Sequence, residues 1–135
     1  YRAGAASAGR DATGDEIVAR FQIAITDEPE QARNLVRAGF AGYVATPVYN
    51  KFFEWVGFPE VATGVAEAFA NRDRAATTAA IHDDFVDAIT IMGTAEECRE
   101  KVAAFVAAGV TTPVLAPLAT SPQAVIELFE AMAPR

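Results

Sequence analysis

Residues 93–117 read GTAEECREKVAAFVAAGVTTPVLAP, a helix that runs directly into a strand. Thr94 is placed to cap the first turn, and Glu97 three residues later completes a capping box. Cys98, Val102, Phe105 and Val106 recur at helical spacing and form one apolar stripe, while Glu97 and Lys101 can pair across a turn on the wet face. Gly109 stops the helix, because the residue just past the last turn often needs a left-handed conformation that glycine adopts without penalty. The run 110–116 is short and almost wholly apolar, as in a strand buried on both faces of a parallel sheet flanked by helices. Such a strand is not stable alone, so other strands must lie beside it.

The chain has 135 residues, enough for one domain with a real core. With 52% hydrophobic and 21% charged residues it has ordinary globular composition, which excludes a disordered chain. The net charge of −7 and the absence of a basic stripe argue against nucleic acid or an anionic membrane as partner. No apolar run reaches the roughly 20 residues a membrane helix requires. One cysteine leaves no internal disulfide and suits a reducing cytoplasm, the expected location. The opening YRAGAASAGRD lacks the apolar core of a signal peptide and reads as the tail of a small-residue helix ending near Gly9.

IVARFQIAIT, residues 17–26, is the first strand. Ala19, Phe21, Ile23 and Ile25 share one face, suited to packing under helices. Val18, Arg20, Gln22, Ala24 and Thr26 share the other. Arg20 and Gln22 side by side could bond each other or a ligand inside a closed barrel, or could sit on the solvent face of an ordinary strand. Asp27 is expected to cap the next helix with Glu30 in the capping-box position, and Ala32, Leu35, Val36, Phe40 and Tyr43 make its buried stripe. Thr46-Pro47 restarts the helix as PVYNKFFEWVG, apolar on almost every side, which stops at Gly57. Further helices are expected at 59–70, at 73–81 with Asp73 as cap, and at 83–92 ending at Gly93. Ser121-Pro122 opens a last helix with Val125, Leu128, Phe129 and Met132 facing inward. The order is therefore helix end, strand, a string of helices, strand, helix. A parallel crossover needs only a dozen or so residues, so the long connection is a helical insertion between neighbouring strands. Two strands make no useful sheet, and the chain is expected to be part of a larger β/α structure.

Few residues carry obvious chemistry. His82, the only histidine, is followed by Asp83 and Asp84, and adjacent helical positions do not share a face, so this is not a metal-ligand spacing. No metal is expected. Cys98 lies on a buried stripe among Glu96, Glu97 and Glu100, a setting for packing and not for a nucleophile. Gly93-Thr94 could offer N–H groups to a phosphate, but the two acids of that first turn favour a plain cap. No GxGxxG and no P-loop is present. Phe40, Tyr43, Tyr49, Phe52, Phe53, Trp55 and Phe58 crowd one short region, more than half of the chain's aromatic residues. Such a region suits either a flat organic ligand or packing against a core or partner subunit. Tyr49 and Asn50 bring polar groups into this greasy segment and are the pair expected in a substrate pocket.

YVATPVYNKFFEWVGF, followed by DDFVDAITIMGTAEECREKVAAFVAAGVTTPVLAP, resembles the C-terminal part of the luciferase-like monooxygenase superfamily. It is closest to the branch that uses the deazaflavin coenzyme F-420. IVARFQIAIT followed by EPEQARNLVR is similar to the same family, and the resemblance rests on the order and spacing of these motifs together. It implies an α/β fold, the C-terminal part of an eight-stranded parallel β/α (TIM) barrel. Residues 1–135 would then be part of one barrel domain supplying the last two strands, with a helical insertion at about 40–92 between them. It further implies a usually dimeric oxidoreductase or monooxygenase, with FMN or deazaflavin F-420 at the C-terminal mouth of the strands and a small organic substrate. Barrel sites lie at strand C-termini. That places Ala24, Thr26, Ala116 and Pro117 at the mouth, with Thr26 and Pro117 toward the cofactor and Arg20 and Gln22 in the polar interior toward the substrate. No catalytic acid or base is singled out, which is compatible with chemistry carried by the cofactor. A barrel of another chemistry, such as a lyase, is the alternative among enzymes. The alternative from another class is an acidic helical binding or dimerisation module without catalysis.

Overall fold

The computed structural model describes residues 1–119 and 121–133. A helix α1 (Arg2–Ser7) leads to strand β1 (Val18–Ile25). Five helices follow: α2 (Pro29–Ala45), α3 (Pro47–Trp55), α4 (Pro59–Ala70), α5 (Arg74–Ala79) and α6 (Asp83–Ile89). The chain then forms β2 (Thr90–Gly93), α7 (Ala95–Ala107), β3 (Thr112–Pro117) and α8 (Pro122–Met132). The three strands make one parallel sheet in the order β2-β1-β3.

Local signals place most helix boundaries. Thr94 Oγ1 accepts from Glu97 N while the Glu97 carboxylate accepts from Thr94 N at 2.7 Å, the capping box expected for α7. Asp73 Oδ1 accepts from Ala76 N at 2.9 Å, Ser121 Oγ accepts from Ala124 N at 3.2 Å, and Pro47 opens α3. Gly57 and Gly109, with φ of +107° and +117°, end α3 and α7.

Several expectations are corrected. The helix expected to run from 83 to 92 stops at Ile89, and Thr90–Gly93 is a third strand paired with β1 from Gln22 to Ile25. The insertion therefore joins β1 to β2 and ends at Ile89. Asp27 does not cap α2; Glu28 occupies that position without a side-chain cap, and Thr26 Oγ1 accepts from Glu28 N at 2.9 Å. Glu30, expected to back-bond, pairs with Arg33 and Arg37 instead. Lys101 does not pair with Glu97; its ammonium donates to Met92 O at 2.7 Å. Leu35, Tyr43, Phe105, Val106 and Phe129, expected on buried stripes, are about half exposed. The last strand starts at Thr112 and is half-buried, because β3 is an edge of the sheet.

The order β2-β1-β3 also departs from a closed barrel, where strands consecutive in sequence neighbour one another. Both edges are blunted against further pairing. Lys101 occupies the Met92 carbonyl at the free edge of β2. Thr112 N and Leu118 N donate to Ile17 O and Ile23 O on the β1 side, so the alternation of a parallel ladder turns positions 113, 115 and 117 outward. Two of those three are prolines, which tolerate an outer edge because their missing N–H has no partner to lose there.

The two faces of the sheet carry separate cores. Ala24 and Met92 pack under α2, α4 and α6, with Val36, Val44, Val65, Phe85 and Val86 all fully buried. Ile23 and Ile91 pack on the other face with Cys98 of α7 and Leu128 of α8. This is the alternation read from IVARFQIAIT. Arg33 clamps the insertion to its own far end: Nε and Nη2 donate to the two Asp87 oxygens, both at 2.9 Å. These bonds hold the Asp87 carboxyl below its usual value, against the opposing effect of burial. A depressed carboxyl adds stability that is present above its unfolded pKa and lost as pH falls through the folded one. Asp87→Asn is therefore expected to lower the urea midpoint at about pH 7, with the gap to the parent closing as pH falls below the usual carboxylate range. A gap that stays constant with pH would assign the loss to packing.

Candidate functional site

The carboxyl ends of all three strands come together. Thr26 N donates to Gly93 O at 2.9 Å at the end of β1 and β2, and Leu118 N donates to Ile23 O at 2.8 Å just past β3. From this line the chain leaves in two directions. The β1 connection enters α2, which packs on the Ala24 face, whereas the β3 connection enters α8, which packs on the Ile23 face. Adjacent parallel strands whose connections part to opposite faces leave a crevice outside their carboxyl ends, the usual ligand position in open α/β sheets.

A cleft of about 360 Å³ occupies that position. Its floor is the end of β1, Ala24 to Thr26, with Leu118 and Ala119 from the β3 exit. Gln31, Ala32 and Leu35 of α2 form one wall, and Ala124, Glu127, Leu128 and Ala131 of α8 form the other. Alanine is the commonest lining residue, and its small side chain leaves the space between α2 and α8 unfilled. The polar groups are few. Thr26 Oγ1 already accepts from Glu28 N, which leaves its own proton to donate. Glu127 Oε1 accepts from Gln123 Nε2 at 3.0 Å. Among the described residues no lysine or arginine lines the cleft.

Of the residues expected at the strand mouth, Ala24 and Thr26 line this cleft, and Pro117 adjoins it through Leu118. Ala116 lies one position deeper, opposite Gln22. Gln31 and Glu127 were missed by sequence reasoning; their only signal is a place near the start of α2 and on the face of α8 beside Leu128.

Arg20 and Gln22 do lie side by side on the face shared with Ala24. With the Gln22 amide turned so that its oxygen faces Arg20, that oxygen accepts from Arg20 Nη1 at 3.0 Å and the nitrogen donates to Ala116 O at 3.3 Å. They line a separate cleft of about 300 Å³ with Asp87, Thr90 and Lys101, beside the short strand β2. Thr90 Oγ1 is buried there without a hydrogen-bond partner among the described residues.

Tyr49 and Asn50 do not line the cleft at the strand ends. Asn50 Nδ2 donates to Val44 O at 3.2 Å and to Ala62 O at 2.6 Å, bracing α2, α3 and α4 together. Both amide donors serve the fold. Asn50→Ala leaves two carbonyls short of a partner and is expected to cost about 1–3 kcal/mol, read as a lower urea midpoint with unchanged slope. No loss of stability would return Asn50 to a binding role. Tyr49 is about half exposed and meets Tyr43 edge-on at 5.5 Å.

The other candidates take structural places. His82 precedes α6 as its N-cap residue and makes no side-chain cap bond. Cys98 is fully buried, its thiol 3.7 Å from Ala24 O and pushed up in pKa by that burial. No group of three or more metal-ligating side chains occurs among the described residues, and none of the described helices is long and apolar enough to cross a membrane.

Comparison with known proteins adds one finding. The family model for luciferase-like monooxygenases matches residues 1–112, from α1 to the first residue of β3. No curated protein and no solved structure matched the chain. The match spans more than four fifths of the sequence and contains the whole insertion, β1, β2 and α7. By that match the chain belongs to the luciferase-like monooxygenase family.

Proposed function

We propose that the crevice at the carboxyl ends of β1 and β3 receives the ring of a flavin-type cofactor, FMN or deazaflavin F-420, in an oxidoreductase or monooxygenase acting on a small organic substrate. The observation that carries this reading is the alanine-lined cleft at the point where the β1 and β3 connections part. A flat ring would stand on the floor of Ala24 and Ala119 between the walls that carry Ala32 and Ala124, with Leu35 and Leu128 excluding water from its faces. The donor set suits a ring and not a phosphate, since Glu127 would repel an anion and no cation lines the cleft. When bound, the cofactor supplies hydride transfer or, as FMN, oxygen activation. The chain's own part is to bind and orient. Thr26 offers its hydroxyl proton and Gln31 its amide to ring heteroatoms. Pro117 fixes the turn out of β3. Arg20 and Gln22 present a polar pair toward substrate on the same face of the sheet.

The strand order and the blunted edges depart from the eight-stranded barrel implied by the family resemblance, and one feature accords with it. Val18, Arg20 and Val114 share a sheet face and stand exposed, and further strands would cover them. Closure next to β2 would require Lys101 to release Met92 O. The test is a titration with oxidised FMN and, in parallel, deazaflavin F-420, followed by fluorescence. Saturable binding of one is the expected result; saturable binding of neither overturns the cofactor reading for this chain.

A further inference from the structure

The cleft beside β2 gathers groups that neither the crevice nor the two cores use. β1 begins at Val18 but β2 begins opposite Gln22, so the first half of β1 has no strand on that side. Thr26 N points toward β2, and the alternation of a parallel ladder turns Arg20 N the same way, into the space before the start of β2. The cleft occupies that space. The Arg20 guanidinium and the Lys101 ammonium both border it, and neither takes part in an ion pair among the described residues. Lys101 keeps two protons beyond the one it gives to Met92 O. Asp87 is the one acid among the described lining residues, and both its oxygens are already held by Arg33. The opposite side is apolar: Phe21 and Phe105 meet with ring centroids 4.6 Å apart, and Phe105 stands about half exposed. Between the two sides lies Thr90, only 7% exposed, whose hydroxyl has no partner among the described residues. A buried hydroxyl without a partner calls for an explanation.

We infer that this cleft binds a small organic carboxylate, its carboxyl group held by Arg20 and Lys101 and its apolar body laid against Phe21 and Phe105. The inference rests on the reading of Arg20 and Gln22 as facing substrate, and it names the chemical class of that substrate. Charge supports it. Two cations without acid partners converge here in a chain of net charge −7, and the one acid nearby is neutralised by Arg33. Geometry supports it as well. The Gln22 oxygen accepts from Arg20 Nη1 and steadies the guanidinium, whose remaining donors suit the fork of a carboxylate. A carboxylate oxygen that reaches Thr90 supplies the acceptor its hydroxyl lacks. Size and polarity set the rest of the molecule. A cleft of about 300 Å³ is at the small end of ligand sites, which selects one ring or a short chain. A bare phosphate would meet the same cations but leave the two phenylalanine rings uncovered.

The experiment is a titration of the isotope-labelled full chain with benzoate, followed by amide chemical shifts, with benzyl alcohol and inorganic phosphate in parallel. No flavin-type cofactor is added, so its outcome is separate from that of the cofactor reading. Saturable shifts at Arg20, Gln22, Ile89, Thr90 and Lys101 are expected, with a dissociation constant on the order of 1 mM. Arg20→Gln and Lys101→Gln should each weaken benzoate about tenfold. Both side chains are exposed, and glutamine at 101 keeps a donor for Met92 O, so the fold should be retained. Thr90→Val keeps the side-chain shape and removes the unpartnered hydroxyl, so it should leave the urea midpoint no lower while weakening benzoate. Absence of saturation up to about 20 mM overturns the inference. So does benzyl alcohol or phosphate binding as tightly as benzoate, or an affinity unchanged in both charge variants. Benzoate binding that Thr90→Val leaves unchanged overturns the part assigned to Thr90.

Discussion

Replacing Phe85 with alanine is expected to destabilise the protein by about 3–5 kcal/mol, the range for emptying a fully buried aromatic site. Phe85 is fully buried, and its ring meets Phe53 at 4.8 Å and Phe58 at 5.2 Å, both edge to face. Those rings come from α3 and from the turn before α4, while Phe85 itself lies on α6, the last helix before β2. Truncation would thus leave a cavity where the insertion closes back on the sheet, beside Val36, Val65 and Val86. Little of it can collapse, because the surrounding side chains come from four different helices. Urea unfolding should show a lower midpoint with unchanged slope. Phe52→Ala is the control: its ring is about half exposed, and its loss should fall nearer 1 kcal/mol. Equal costs at the two positions would mean that the insertion does not close on the sheet as described.

Gly93→Ala should cost about 1–3 kcal/mol for backbone strain alone, with a steric penalty added. Gly93 has φ of +134°, a conformation that residues with a Cβ rarely adopt, and it is held there from both sides. Its carbonyl accepts from Thr26 N, which ties β2 to the end of β1, and the next residue begins the α7 capping box. A Cβ at this position would collide with Glu97 Oε2, the oxygen that accepts from Thr94 N. The two effects separate in a double-mutant cycle. In a Glu97→Ala background the collision is gone, so Gly93→Ala should cost less than in the parent. Additive costs would show that Glu97 moves aside freely and that strain is the whole effect. Because Gly93 ends β2 beside the strand mouth, the variant should also loosen the crevice.

The parts of this structure that were legible in the sequence are those decided within one or two turns of chain. Thr94 with Glu97, Asp73, Ser121-Pro122 and Gly109 each set a helix boundary through bonds to residues three or four positions away. The two faces of β1 were legible because Phe21, Ile23 and Ile25 alternate with Arg20, Gln22 and Ala24. Thr90–Gly93 was not. Four residues of that kind take either form, and they become a strand only because the edge of β1 supplies partners from Gln22 onward. Strand order was hidden for a related reason. Nothing in the sequence of β3 states that it pairs with β1 and not with β2; the outward prolines at 113 and 117 show only that it has a free edge. The candidate site divides along the same line. Ala24 and Thr26 could be named from the end of a strand, whereas Gln31 and Glu127 reach the cleft through helices whose positions depend on the fold. Asn50 shows the converse. A polar group in a greasy segment suggests a pocket, yet its partners here are the carbonyls of Val44 and Ala62.

The location of cofactor binding is the central claim, and amide chemical-shift mapping tests it most directly. The isotope-labelled chain would be titrated with FMN and with deazaflavin F-420, and the shifts followed residue by residue. The account expects saturable changes at Ala24, Ile25, Thr26, Gln31, Leu118 and Ala119, with Val48 to Val56 undisturbed. Changes confined to α3, or saturable binding that leaves the strand ends silent, would contradict it.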